Sequence, residues 1–425
     1  MPEAATRDRY YESLEAQCKL PAGFSGATAS FTFLSPERGG EEELPMNLAL
    51  LAVEGGTAAY AGVTTTNRFP GYPVILTREI LASGEPVGGI LINNKVANVG
   101  VPGGLDDARR LSALLTGGCG GGRWFSLSTG VIGWRLPMER IEGQLEALYA
   151  RRHPSAGLEI AEAIMTTDRY PKLRRKELPG GSIFGVAKGA GMIEPNMATM
   201  LSVILTDLAF TAGELDRMLR ESVEKSFNRI GVDGEQSTSD VVILLSSGAA
   251  GRGEPVSFQE ALDEVSGELA RSVVRNGEGT AHVVKVEVAG IAGSREALFL
   301  ARRVSNSPLV KSAIYGNDPN VGRILMALGD GLSDLGLDHS FEGLQVEIDG
   351  VPVFRNGLFT LTPEVEKRLA ASLKESSMDP TLTGYPEHDR EVTISVDFGA
   401  GGAKQTVWGS DLSYEYVREN ADYRT

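Results

Sequence analysis

An α/β fold of packed layers is the class this sequence predicts, and three observations predict it. The run Thr199-Met200-Leu201-Ser202-Val203-Ile204-Leu205 is short, apolar and rich in β-branched residues, as in a strand buried on both faces. Two helical stripes follow: Leu215, Met218, Leu219, Val223, Phe227 and Ile230, then Phe258, Leu262, Val265, Leu269 and Val273. Val284, Val286 and Val288 next alternate as a half-buried strand. The order strand, helix, helix, strand forms layers rather than a bundle.

In chain order, Thr6 to Leu20 predicts a charged helix with Tyr10, Leu14 and Cys18 on one stripe, a packing element rather than a chemical one. Pro21-Ala22-Gly23-Phe24-Ser25-Gly26 ends it. Met46–Val53, Thr57–Val63 and Gly89–Ile92 predict core strands, and the acidic insert Pro36–Glu43 a surface loop. Helices are expected at about Leu105–Leu115 and Met138–Arg151. Between them, Thr116-Gly117-Gly118-Cys119-Gly120-Gly121-Gly122 lacks the Gly-Lys-Ser/Thr ending of a phosphate loop and reads as a flexible connector. Further on, Arg295–Val304 predicts a helix, and Leu344–Val353 predicts a hairpin closed by Asp349-Gly350. Thr362-Pro363 opens a helix as N-cap and first residue, continued by Val365, Leu369 and Leu373. Val392, Ile394, Val396 and Phe398 alternate in a late strand, with Lys404–Trp408 expected beside it.

The chain has 425 residues, enough for two or three domains, and no internal repeat. Its net charge of −15 argues against a nucleic-acid partner. The densest basic run, Leu173-Arg174-Arg175-Lys176, reads as a solvated turn. Cys18 and Cys119 encode neither a disulfide framework nor a zinc site, and the four histidines form no ligand-spaced pair, so no metal is expected. The start has no apolar leader core, and no segment of the length that spans a bilayer is uninterruptedly apolar. The expectation is a cytoplasmic, soluble protein without a membrane partner.

Chemistry concentrates where the chain changes character. From Gly185 to Ala198 it is glycine-rich, small and proline-broken, and at Thr199 the apolar strand begins, so a flexible loop delivers a hydroxyl to a rigid strand. That suits an N-terminal nucleophile, whose own α-amine is freed as the adjacent base when the preceding peptide bond is cut. An α-amine titrates at about 7.7–8.0, so it accepts a proton near neutral pH where a lysine does not. Ala198 is small enough to let that bond be held strained. On pattern alone, a threonine opening a buried strand is usually an ordinary structural residue.

The run Ala187-Lys188-Gly189-Ala190-Gly191-Met192-Ile193-Glu194-Pro195-Asn196-Met197-Ala198-Thr199-Met200-Leu201 resembles the self-cleavage motif of the glutamate/ornithine N-acetyltransferase family. Further runs match in the family's order. They are Ser128-Thr129-Gly130-Val131-Ile132-Gly133, Ala163-Ile164-Met165-Thr166-Thr167-Asp168, Ser237-Thr238-Ser239-Asp240, Gly277-Glu278-Gly279, Ser307-Pro308-Leu309-Val310-Lys311, Gly316-Asn317-Asp318-Pro319-Asn320 and Asn420-Ala421-Asp422-Tyr423-Arg424-Thr425.

This resemblance implies a layered α/β sandwich of sheets flanked by helices, with a smaller C-terminal α/β portion. It also implies self-cleavage between Ala198 and Thr199. The expected parts are an N-terminal helical extension at residues 1–24, an α-chain core at 25–198 and a β-chain at 199–425. The α and β chains stay associated, and the αβ units assemble into a homo-oligomer. Thr199 is then the nucleophile, Thr129 and Gly130 the oxyanion donors, and Thr166, Lys188, Glu278, Asn420 and Thr425 the substrate contacts together with Thr199. Lys188 suits the carboxylate of an N-acyl amino acid, and Glu278 suits an ornithine-like ammonium. The implied activity moves an acetyl group from N2-acetylornithine to glutamate through an acyl-enzyme in arginine biosynthesis, without a cofactor.

The sequence departs from the family pattern in several places. Asn98-Val99-Gly100-Val101-Pro102 lacks a Thr-Gly ending, Val321 replaces a tryptophan, and the lysine that follows Gly277-Glu278-Gly279 in the family is missing from Thr280-Ala281-His282. Thr66-Asn67-Arg68-Phe69-Pro70-Gly71 is closer to paralogues of antibiotic pathways. Two alternatives stand beside the arginine-pathway reading. One is an acyltransferase or amide hydrolase of the same chemistry acting on another N-acyl amino acid. The other is an uncleaved, inactive scaffold.

Overall fold

The computed structural model describes residues 6–40, 42–194, 200–339 and 341–422. The expected scissile pair Ala198 and Thr199, and the terminal Thr425, lie outside them. In chain order the strands are β1 (Phe24–Leu34), β2 (Glu43–Thr57), β3 (Tyr60–Thr64), β4 (Val87–Asn93), β5 (Arg123–Ser128), β6 (Lys172–Leu178), β7 (Gly181–Lys188), β8 (Leu201–Ala209), β9 (Ile230–Gly231), β10 (Val241–Arg252), β11 (Val283–Ile291), β12 (Gln345–Ile348), β13 (Val351–Arg355), β14 (Leu358–Phe359), β15 (Val392–Asp397) and β16 (Ala403–Ser410). The helices are α1 (Arg7–Glu15), α2 (Tyr72–Ser83), α3 (Gly104–Cys119), α4 (Met138–Ala150), α5 (Gly157–Ala163), α6 (Ala212–Lys225), α7 (Pro255–Arg275), α8 (Ser294–Ser305), α9 (Pro308–Tyr315), α10 (Val321–Asp334), α11 (Pro363–Glu375) and α12 (Tyr414–Asp422).

Two compact units result. The larger holds Arg7–Asn228 and Gln236–Val273, and the smaller holds Arg229–Glu235 and the chain from Val274 onward.

The larger unit is built on two sheets, ordered β1-β2-β4-β5 and β3-β10-β8-β7-β6. Alternation along each strand sends one set of side chains to a shared core. Leu51, Ile90, Ile92 and Phe125 of the first sheet meet Val186, Val203, Leu205 and Ile243 of the second there. The opposite set on the first sheet, including Leu48, Leu50 and Leu91, packs on Leu111 and Leu115 of α3 and Ile141 and Leu148 of α4. On the outer face of the second sheet, Gly185 leaves room for α7, since a Cβ there would come within 2.8 Å of both Val265 and Leu269. The order is helices, sheet, sheet, helices, as the family resemblance implies. Helix α1, the expected extension, packs by its buried Leu14 and by the Tyr10 hydroxyl, which donates to Pro171 O at 2.6 Å.

The smaller unit is one mixed sheet, ordered β14-β13-β12-β15-β11-β16-β9. Val284, Val286 and Val288 of β11 pack with Leu300 and Val304 of α8, Leu328 of α10 and Leu369 and Leu373 of α11. The predicted hairpin is β12–β13, with Asp349 at φ 49° and Gly350 at φ 74°, the pair of left-handed residues its two-residue turn needs. Thr362 caps α11 by accepting from Val365 N at 3.4 Å.

Four expectations are corrected. Gly185–Lys188, read as loop, is the end of β7, paired with β8 from Lys188↔Leu201 to Ile183↔Thr206. The basic run is no turn but edge strand β6. Leu173 is buried inward, while Arg174 and Lys176 pair outward with Glu268 and Glu264, charges that also block edge-to-edge association. The glycine stretch is not a loose connector: α3 runs through Cys119, and a Cβ on Gly122 would lie 2.0 Å from Pro86 O. Finally, β16 pairs with β11, which separates it from β15.

Candidate active site

In the larger unit the site is built where β7 ends and β8 begins. Lys188, the last residue of β7, is 3% exposed, and its Nζ donates to Thr166 Oγ1 at 3.0 Å. The loop carrying Thr166 is organised by Asp168. One of its oxygens accepts from Thr166 N at 3.0 Å, and the other accepts from Gly189 N at 2.8 Å and Lys172 Nζ at 2.5 Å. Burial would raise the Asp168 carboxyl, but the charges of Lys172 and Lys188 and the Gly189 N–H outweigh it and bring it down to about 2. Burial also pulls the Lys172 ammonium below its usual range, against the opposing pull of Asp168. The arrangement is a buried cluster of two lysines around one aspartate, a setting that favours a further anion.

Thr129 and Gly130 follow β5. Thr129 N donates to Asn93 O at 3.1 Å. Gly130 has φ 130°, and a Cβ on it would stand 2.2 Å from the carbonyl carbon of Lys95, itself at φ 71°. Only glycine fits there. Neither the Thr129 hydroxyl nor the Gly130 N–H makes a hydrogen bond among the described residues. Two donors left uncommitted beside each other are what a developing oxyanion requires.

The end of β4 joins these two loops. Asn93 O holds Thr129 N, while the adjacent Asn94 donates through Nδ2 to Met165 O at 2.9 Å, next to Thr166. On the other side, β10 grips the start of β8. Val241 N donates to Met200 O at 3.1 Å, and Met200 N donates to Asp240 Oδ1 at 2.7 Å. Thr129, Thr166 and Lys188 are thus joined through Asn93 and Asn94, while Asp240 and Val241 hold the residue after Thr199.

In the smaller unit, Asn420 Nδ2 donates to Glu278 Oε2 at 2.9 Å and to Tyr416 O at 3.0 Å. The approach of α12 to the Gly277-Glu278-Gly279 turn depends on Gly279, where φ is 62° and a Cβ would lie 2.2 Å from Tyr416 N. Ser413 Oγ donates to Gly279 O at 2.6 Å and accepts from Tyr416 N at 3.0 Å, fixing the helix to the turn. His282 is fully buried between Asp411 Oδ2 at 2.7 Å and Leu373 O at 3.0 Å.

Sequence reasoning missed Asn93, Asn94, Asp168, Lys172 and Asp240. Asp168 and Asp240 each end a motif quoted above, and an acid closing a polar run beside a buried strand was the signal available. Among the described residues no three His, Cys, Asp or Glu side chains cluster as a metal site, and no helix is long and apolar enough to cross a membrane.

The sequence model of the ArgJ family matches residues 38–425. This chain belongs to the ArgJ family. All the site residues named above fall within the match. The arginine biosynthesis bifunctional protein ArgJ of Nitratidesulfovibrio vulgaris is 38% identical over 413 residues, covering 94% of this chain and 100% of that protein. The ArgJ protein of Geobacter sulfurreducens is also 38% identical, over 93% of this chain and 99% of its own length. A crystal structure of arginine biosynthesis bifunctional protein ArgJ from Bacillus halodurans is 34% identical with a TM-score of 0.45, covering 51% of this chain and 96% of that one. The resemblance read from the central motif is therefore to the right family.

Proposed function

We propose that this chain is an acetyltransferase of arginine biosynthesis that cuts itself between Ala198 and Thr199 and then moves an acetyl group from N2-acetylornithine to glutamate. The observation that carries this reading is the ArgJ match across residues 38–425, with relatives 38% identical over nearly their whole length and named for arginine biosynthesis.

In the first half-reaction Thr199 Oγ attacks the acetyl carbonyl while the freed α-amine takes the hydroxyl proton. Thr129 Oγ1 and Gly130 N–H stabilise the oxyanion, and ornithine leaves with the proton on its amine. In the second, the amine of glutamate attacks the Thr199 ester and acetylglutamate departs. No cofactor takes part. Lys188 with Thr166 receives the substrate carboxylate, Glu278 held by Asn420 receives the side-chain ammonium, and Thr425 completes the substrate contacts. Strands β7 and β8, on either side of the cut, are neighbours in one sheet, which supports α and β chains that stay associated. We further place the enzyme in the cytoplasm as a homo-oligomer of αβ units. The relatives' names fit this reading rather than an amide hydrolase of specialised metabolism or an inactive scaffold.

The test is incubation with N2-acetylornithine and isotope-labelled glutamate. Labelled acetylglutamate with parallel double-reciprocal lines is expected. Ornithine release without acetylglutamate would assign the acyl group to water and overturn the transferase reading.

A further inference from the structure

Asp240 stands immediately before β10 and is 0% exposed. Its backbone carbonyl accepts from Thr65 N at 3.0 Å, which ties the residue to the end of β3. Its Oδ1 accepts the Met200 amide at 2.7 Å. Its Oδ2 is sealed from solvent and has no hydrogen-bond partner among the described residues. A buried carboxyl oxygen left unpaired costs stability and is retained where it has work to do. Burial drives the group well above the usual carboxylate range, against the Met200 amide, the Lys188 charge and the Thr65 hydroxyl.

The nitrogen that Asp240 holds is the amide joining Thr199 to Met200. With Val241 N on the carbonyl side of the same residue, Met200 is fixed through both of its backbone groups. Resting on the reading of Thr199 as the nucleophile, we infer that Asp240 is its positioning residue, its carboxyl oxygen Oδ1 anchoring the amide on the carboxyl side of Thr199. A side chain fixed this way needs an acceptor at Oδ1 and the length of aspartate. Asparagine supplies both, alanine supplies neither, and glutamate keeps the acceptor while displacing it by a methylene.

The experiment uses the full chain, first confirmed to be cut at 198/199 and inactive as Thr199→Ala. Asp240→Ala, Asp240→Asn and Asp240→Glu are then compared for self-cleavage rate, kcat and KM for N2-acetylornithine. Misplacing a nucleophile by about 1 Å costs about 100-fold. Asp240→Ala and Asp240→Glu are therefore expected to cleave slowly and to lose about 100-fold in kcat, with KM within about 3-fold of the parent. Asp240→Asn is expected to stay within roughly tenfold in kcat. If Asp240→Ala does not fold, Asp240→Glu and Asp240→Asn decide. A folded alanine or glutamate variant with parental kcat, a loss confined to KM, or an asparagine variant as impaired as the others would each overturn the assignment. Absence of the cut in the parent, or turnover by Thr199→Ala, would instead remove the nucleophile reading itself.

Discussion

Lys188 Nζ donates to Thr166 Oγ1 at 3.0 Å, which ties the last residue of an interior strand to a loop 22 positions earlier in the chain. The bond aims a buried ammonium, and the proposed use of that ammonium is to receive a carboxylate. Lys188→Ala is expected to lower kcat/KM for N2-acetylornithine by about 100-fold, or about 3 kcal/mol, mostly through KM, as for a truncated buried charge pair. Steady-state kinetics check it. An unchanged KM would remove Lys188 from substrate binding.

Asp168 and Asp240 should make opposite contributions to acid stability. Asp168 is held at about 2 in the fold, below the roughly 3.9 of an unfolded aspartate, so its stabilisation is present above pH ~4 and is lost as pH falls toward 2. Asp240 is raised, so its contribution is full below pH ~4 and is lost as pH rises toward the folded value. Asp168→Asn, which leaves Lys172 buried without its counter-ion, should cost about 3–5 kcal/mol at pH 7 and progressively less below pH 4. Asp240→Asn should instead gain on the parent as pH rises from 4. Urea denaturation across pH measures both slopes, and parallel curves for parent and variants would contradict them.

Thr129→Ala should reduce kcat by about 10²–10³ while changing stability by about 1 kcal/mol or less, because the Thr129 hydroxyl bonds none of the described residues. Gly130→Ala should lose activity and stability together, since its Cβ would collide with the Lys95 backbone. Kinetics beside thermal melts separate the two. Parental kcat in Thr129→Ala would rule out the oxyanion role.

Gly279→Ala places a Cβ 2.2 Å from Tyr416 N at a backbone angle suited to glycine, so α12 must shift and the Asn420–Glu278 bond must loosen. The expectation is a destabilisation of more than about 1 kcal/mol and weaker ornithine binding by calorimetry. Unchanged affinity would detach that turn from substrate recognition.

Much of this was legible from one sequence because it is local. The hairpin at Asp349-Gly350, the Thr362 cap, the α7 stripe and the α6 stripe as far as Val223 follow from neighbours a few residues apart, whereas Phe227 and Ile230 lie beyond α6 in a 3-10 turn and in β9. The partner of β16 was not legible, since alternation says which face is buried and nothing about which strand lies alongside. Gly185–Lys188 read as loop because glycine is a poor strand former in isolation, whereas here Gly185 makes room for α7. The motifs named Lys188, Thr166 and Glu278 through resemblance, but Asp168 and Asp240 act by holding other groups, and that is visible only once the strands are side by side.

The central claim is a cut that creates the nucleophile, and the most direct measurement is the denatured mass of the purified protein with sequencing of every new N-terminus. Two chains are expected, one beginning Thr199-Met200-Leu201-Ser202, with Thr199→Ala remaining whole. A single 45.2 kDa parent chain that still transfers acetyl groups would contradict the account.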